Sequence, residues 1–329
     1  MAVLPDAVKS TAEYQMLCAH LEEFARGKVR DTFVIDDKRL FIYASNRISV
    51  FDNVLPFHVP KKRDVLVALT DFWLRGPLAE LGGIENHLIE SGARIDDHLP
   101  VELRNQRAFH EGGMIVSRQE MWMFEAVVRG WLTGGGWKEY AKSGTLHGEK
   151  LPEGLQDGSK LDQPAFTPTD RGQVTGHDEP IPVTEVVRLY GQQVIDDALL
   201  IYRTIRDFCA AKGIIFVDTK MEWKLRMLCD EVGTPDSSRF WLASEYDEYQ
   251  ARGQVPPAYD KQFMREWAKF LGIHLLNSAK SADDLAKLNA IVTPEEVIEQ
   301  TTQLYLMIFE LIVGMSLAEY QRTRMGILA

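Results

Sequence analysis

The stretch GIIFVDTKMEW, residues 213–223, places the strongest constraint on the fold. Its first part, 213–220, is apolar and β-branched, as a buried strand is. Successive side chains of a strand point to opposite faces. Asp218, Lys220 and Glu222 therefore share one face, and Val217, Thr219 and Met221 the other. Three charges on one face of a core strand are costly unless something polar meets them. Either that face is an exposed sheet surface or it meets a charged ligand. Asp230 and Glu231 follow closely, and carboxylates with a lysine beside phosphates are what a Mg²⁺–nucleotide complex requires.

Around this strand the pattern predicts α+β. Residues 7–25 have helical spacing. Residues 29–35 and 39–44 read as two strands joined by Asp36-Asp37-Lys38, a hairpin signal. A helix is expected over 64–80, strands over 114–116 and 121–129, and helices over 183–212, 258–271 and 294–313. Residues 144–182 are rich in Pro and Gly with little periodicity, so a long functional loop is expected there. The implied organisation is an N-terminal helical extension (1–26), an antiparallel N-terminal lobe (27–125), and a central lobe with a mixed sheet and C-terminal helices (126–329).

Bulk properties bound the function. The chain has 329 residues and a formal charge of −11, which argues against nucleic acid as a general partner. A few arginines gathered in one cleft remain compatible with a small anionic ligand. Cys18, Cys209 and Cys229 lack metal-ligand spacing, and so sparse a count fits a reducing compartment. No basic start followed by an apolar run opens the chain. The most apolar stretch, Leu304 to Leu317, is interrupted by Glu310 and Gly314. A cytoplasmic protein without a membrane span is expected.

Three further stretches are too polar for packing alone. In RGKVRD, Arg26 to Asp31, a glycine beside cations leads into a strand, which is either a charged turn or a phosphate-binding one. In VVRGWLTGGGW, a buried-type strand delivers Arg129 to a turn where glycine permits close backbone approach. Arginine grips phosphate or carboxylate at two points, although a structural arginine in a glycine-rich turn is the plainer alternative. In TPDSSRFW, Asp236, Ser237, Ser238 and Arg239 gather donors and a carboxylate. The loop GHDEP adds His177 and Asp178.

Taken together, GKVRD (27–31), RIS-x-FD (47–52), VVRG-x-L-x-G (127–134), WKEYAKSGTLHG (137–148), FTP (166–168), GHDE (176–179), GII-x-x-DTK-x-E (213–222), DEV-x-TPDSSRFW (230–241) and YDKQFMREW (259–267) resemble the SAICAR synthetase family, in that family's order. The resemblance covers nearly everything after residue 26. It implies a two-lobed, ATP-grasp-like fold and a carbon–nitrogen ligase of purine biosynthesis. ATP would phosphorylate the carboxylate of an aminoimidazole ribotide, and the amine of aspartate would attack the acyl phosphate. Carried over by residue, Gly27, Lys28 and Arg30 would hold nucleotide phosphates, and Glu222 and Asp230 would bind Mg²⁺ and nucleotide. Asp218, Lys220 and Arg239 would form the catalytic set. Arg129, Asp178, Asp236, Ser237, Ser238 and Arg239 would contact substrate, as would the positions occupied by Asn46 and Gly135. An assembly of identical copies is left open.

Some family positions differ here. Asn46 replaces an Asp, Gly135 a Ser, Arg171 a Lys, Pro180 an Asn and Lys224 a Gly. The family has a hairpin between its Glu and the DEV motif. Here seven residues separate Glu222 from Asp230, and none is Gly, Pro, Asn or Asp. The usual turn chemistry is absent, and so short a connection could move Asp230 relative to Glu222 or remove a strand. These departures suggest two alternatives to SAICAR synthesis. One is a specialised paralogue acting on a related ribotide in nucleoside-antibiotic pathways of the coformycin/pentostatin or formycin type. The other is a non-catalytic nucleotide-binding protein.

Overall fold

The computed structural model describes residues 2–79, 81–170 and 179–328. The chain divides into two compact units, Met1–Phe72 with His87–Gln119 and Lys261–Ala329, and Trp73–Asn86 with Glu120–Asp260.

In the first unit, β1 (Glu22–Arg26), β2 (Arg30–Val34) and β3 (Arg39–Ala44) form a meander. The hairpin β4 (Arg47–Val50) and β5 (Asn53–His58) follows, then helix α1 (Lys62–Arg75), β6 (Leu88–Ser91) and β7 (Gly113–Ser117). The sheet runs β1-β2-β3-β7-β6, antiparallel throughout. Phe33, Phe41, Phe109 and Ile115 are buried in one cluster, each such side chain contributing roughly 1.5–3 kcal/mol. The expected N-terminal helix is instead two helices, Asp6–Lys9 and Ala12–His20, before β1. The break comes at Thr11, whose hydroxyl accepts the Tyr14 N–H and starts a new helix. Pairing with β2 then converts 22–26 to strand. The helix Gln262–Phe270 buries Met264 and Ala268 against Ile48 and Leu55 of the β4–β5 hairpin. By these contacts the C-terminal helices belong with the first unit.

The second unit holds β8 (Ala126–Leu132), α2 (Gly134–Ser143), β9 (Ser159–Phe166), α3 (Gln193–Ala210), β10 (Ile214–Lys224), β11 (Met227–Cys229) and β12 (Ser238–Leu242). The sheet order is β9-β8-β10-β11, with β12 also on β10. Glu85–Asn86 joins β11 in parallel, so the sheet is mixed. Helix α3 is held by Tyr202, whose hydroxyl donates to the Phe216 carbonyl at 2.8 Å. A Cβ at Gly130 would lie 2.1 Å from that hydroxyl, so only glycine fits.

Several expectations are corrected here. The strand expected over 121–129 begins at Ala126, because Trp122 and Phe124 stack on Tyr190. The expected loop 144–182 contains β9, an edge strand whose Pro164 and slipped register between Lys160 and Ala165 hide its period. The helical stretch 183–212 breaks at Gly191. Val217 is a bulge residue, since Phe216 pairs with Phe240 and Asp218 with Arg239. It packs with Trp131 and Trp241. Those residues are two along from Arg129 and Arg239 on their strands, so Val217 lies on the charged face.

Of the two outcomes left open for the short connection after Glu222, a lost strand is excluded. β10 and β11 pair through Glu222↔Cys229, Trp223↔Leu228 and Lys224↔Met227, and Leu225 and Arg226 close the turn. Leu225 takes φ +52°, a left-handed conformation costing a non-glycine residue about 1–2 kcal/mol. Leu225→Gly should therefore raise the thermal midpoint, by about 0.5–1 kcal/mol of stability after the entropy of glycine is allowed for. A lowered midpoint would show that the turn is not strained at that residue.

Candidate active site

The functional residues of the second unit converge on β10. Asp218 pairs in register with Arg129 of β8 on one side and Arg239 of β12 on the other. Facing pairs on adjacent strands bring side chains together. Arg129 Nη1 donates to Asp218 Oδ2 at 2.6 Å, and Arg239 Nε to Oδ1 at 2.9 Å. Arg239 Nη2 also binds Oδ2. Arg129 Nε donates to Thr167 Oγ1 at 3.0 Å. Within this trio two guanidinium groups share one carboxylate, which leaves a net positive charge.

Burial works against both cations and Asp218 works for them. Burial and the repulsion of Arg239 pull Arg129 down. Burial also opposes the Arg239 charge, but Asp218, with Asp260 and Asp157 behind it, outweighs burial and pushes Arg239 up. Both stay charged. Arg129 is the less compensated cation, so an arriving anion stabilises it most.

The start of helix α2 adds to this positive field. Gly134 sits at φ +58°, and a Cβ there would lie 2.3 Å from Arg239 Nη1. Its missing side chain lets the guanidinium approach the helix start, where partial positive charge favours anions. Thr133, the N-cap residue, makes no side-chain capping bond. At Gly135 a Cβ would meet nothing within 4 Å.

Lys220 Nζ lies 2.6 Å from Glu125 Oε2. Its N–H donates to the Ser237 carbonyl at 3.0 Å. Asp236 is half-buried. The hydroxyls of Ser237 and Thr234 lie 3.1 Å apart within their loop. Ser238 stays beside this pair, its Oγ 3.2 Å from that of Ser237. Its hydroxyl donates to Thr219 Oγ1 at 2.8 Å, and Thr219 is fully buried. Ser238 therefore faces away from Arg239, as alternation along β12 requires.

Glu222 and Asp230 flank the paired ends of the β10–β11 hairpin. Burial pushes the Cys229 thiol up to about 12, and the charges of both carboxylates push the same way. Among the described residues no three His, Cys, Asp or Glu side chains gather as a metal cluster. Magnesium usually takes only one or two carboxylates and completes its shell with water and phosphate.

In the first unit, Gly27–Arg30 is the tip of the β1–β2 hairpin, with Gly27 N–H donating to the Arg30 carbonyl at 2.8 Å. Beneath it lies Arg47, fully buried, with Nη1 and Nη2 on the two oxygens of Asp31 at 2.9 and 2.8 Å. Arg47 Nε also donates to the Lys28 carbonyl at 2.9 Å. The Lys28 ammonium pairs with Asp52. Arg30, half-buried, opens β2. The Asn46 side chain accepts the Arg63 N–H at 3.0 Å and so caps the start of α1.

Asp178, with Arg171 and His177, lies outside the described residues. Sequence reasoning missed Thr167, Glu125 and the Arg47–Asp31 pair. Thr167 and Arg47 stand inside the quoted motifs, but nothing in one chain marks their partners.

A family model for SAICAR synthetase matches residues 23–279. The chain belongs to the SAICAR synthetase family. The phosphoribosylaminoimidazole-succinocarboxamide synthase of Rhodococcus jostii is 39% identical over 311 residues, covering 92% of this chain and 97% of that protein. The Bordetella petrii synthase is 42% identical over 268 residues, covering 78% and 87%. The SAICAR synthase structure from Saccharomyces cerevisiae, a complex with SAICAR, superposes with a TM-score of 0.73 at 31% identity, covering 90% and 96%. The α+β architecture is that of this family, whose members are carbon–nitrogen ligases.

Asp31 is 1% exposed, and Arg26 Nε stands 3.6 Å from it. Arg47→Met would leave that carboxylate largely uncompensated and should cost about 3 kcal/mol in denaturant unfolding. A loss below about 1 kcal/mol would mean the pair behaves like a surface one.

Proposed function

We propose that this chain is a SAICAR synthetase of purine biosynthesis, joining the carboxylate of an aminoimidazole ribotide to the amine of L-aspartate at the expense of ATP. The observation that carries the proposal is the Arg129–Asp218–Arg239 cluster at the start of α2. Two half-buried guanidinium groups and a helix N-terminus suit a ribotide, whose phosphate and carboxylate are both anionic. The yeast relative was solved with SAICAR bound.

Asp218 holds both guanidinium groups at fixed angles, so little reorganisation accompanies substrate binding. ATP with Mg²⁺ supplies the phosphoryl group that activates the carboxylate. Glu222 and Asp230 would hold the metal, and in the first unit Gly27, Lys28 and Arg30 would meet nucleotide phosphates. Lys220 would offset negative charge as the phosphoryl group transfers. This chemistry needs positioning and charge rather than a protein nucleophile. One departure that favoured a specialised paralogue is accommodated, since the hairpin after Glu222 forms.

The test is ADP release with carboxyaminoimidazole ribotide, aspartate and Mg·ATP, each omitted in turn. Turnover should require all three. Arg239→Ala should lower kcat/KM for the ribotide at least about 100-fold, because it removes a bidentate donor and leaves Asp218 held by Arg129 alone. Turnover that ignores aspartate or ribotide, or an Arg239→Ala enzyme at full rate, would contradict the assignment.

A further inference from the structure

The hairpin that carries Glu222 and Asp230 is closed by Leu225 and Arg226, neither of which favours a tight turn. Its support comes from outside the turn, through Arg226. The guanidinium grips Asp197 of α3 side-on, with Nε to Oδ2 and Nη2 to Oδ1 both at 2.9 Å. Nη2 also donates to the Gly82 carbonyl at 2.9 Å. The Arg226 carbonyl accepts the Glu85 N–H at 2.9 Å. Asp197 is 3% exposed and accepts a further bond from Gln193 Nε2 at 2.9 Å. One residue thus ties the turn to a helix and to the 82–85 segment.

The register of a short hairpin is set at its turn, and a slip of one residue would turn every side chain to the other face. Glu222 stands four residues before Arg226 and Asp230 four after it. Whatever fixes the turn sets Glu222 opposite Cys229, and with it the point at which Asp230, at φ +60°, leaves the ladder. We infer that Arg226, through its fork on Asp197, is the positioning residue that holds Glu222 and Asp230 at the spacing required by a Mg·nucleotide. The inference rests on the assignment of those carboxylates proposed above.

The test compares two ligands on each protein by calorimetry, Mg·ADP and SAICAR, with the thermal midpoint measured alongside. Arg226→Met should bind Mg·ADP at least tenfold more weakly and SAICAR within twofold of the parent. Asp197→Asn should do the same, and the double variant should be no weaker than the weaker single one, as residues acting through one contact behave. Arg226→Lys keeps the charge without the fork and should fall between; it serves as the test if Arg226→Met does not fold. Unchanged Mg·ADP binding in Arg226→Met would overturn the inference. So would equal weakening of both ligands with a lowered midpoint, which marks a merely structural role. Glu222→Gln separates the two layers. If it too leaves Mg·ADP binding unchanged, the carboxylate assignment falls and takes the inference with it. If it weakens binding while Arg226→Met does not, only the positioning role is lost.

Discussion

One carboxylate between two arginines organises the second unit. Asp218 is reached from β8 by Arg129 and from β12 by Arg239, so a single residue on the central strand fixes cations on both neighbours. The bulge at Val217 belongs to the same arrangement. It adds a residue to β10 so that Asp218 faces Arg239 while Val217 packs with Trp131 and Trp241. An isolated buried trio of charges would be hard to justify by stability, since desolvation offsets much of the Coulomb gain. Its justification is the pair of guanidinium groups that it holds ready for an anion.

The first unit uses the same physics differently. Arg47 and Asp31 neutralise each other inside the fold, and the remaining donors of Arg47 turn to backbone carbonyls of the Gly27–Arg30 tip. There the buried pair shapes a loop. In the Asp218 cluster the side chains themselves are the offered surface.

Much of the site was legible because its chemistry conflicts with packing. Asp218, Lys220 and Glu222 stand out on an apolar strand, and Arg129 at the end of another, with no need of coordinates. Long-range pairing was not legible. Nothing local says that 22–26 leaves the helix to pair with β2, that Pro164 sits in an edge strand, or that Ser238 turns to Thr219 while Arg239 turns to Asp218. The bulge at Val217 broke the simple alternation, because period two cannot reveal an inserted residue. The hairpin after Glu222 was hidden for a related reason. Turn rules weigh the turn residues alone, and here the stabilising group, Asp197, lies 29 residues away.

The central claim is that Arg129 and Arg239, held by Asp218, receive the ribotide. The most direct measurement is a crystal structure of this chain with SAICAR bound. The account predicts that phosphate or carboxylate oxygens of SAICAR lie about 3 Å from nitrogens of both guanidinium groups, the distance of a hydrogen bond. SAICAR bound without touching either arginine would contradict it.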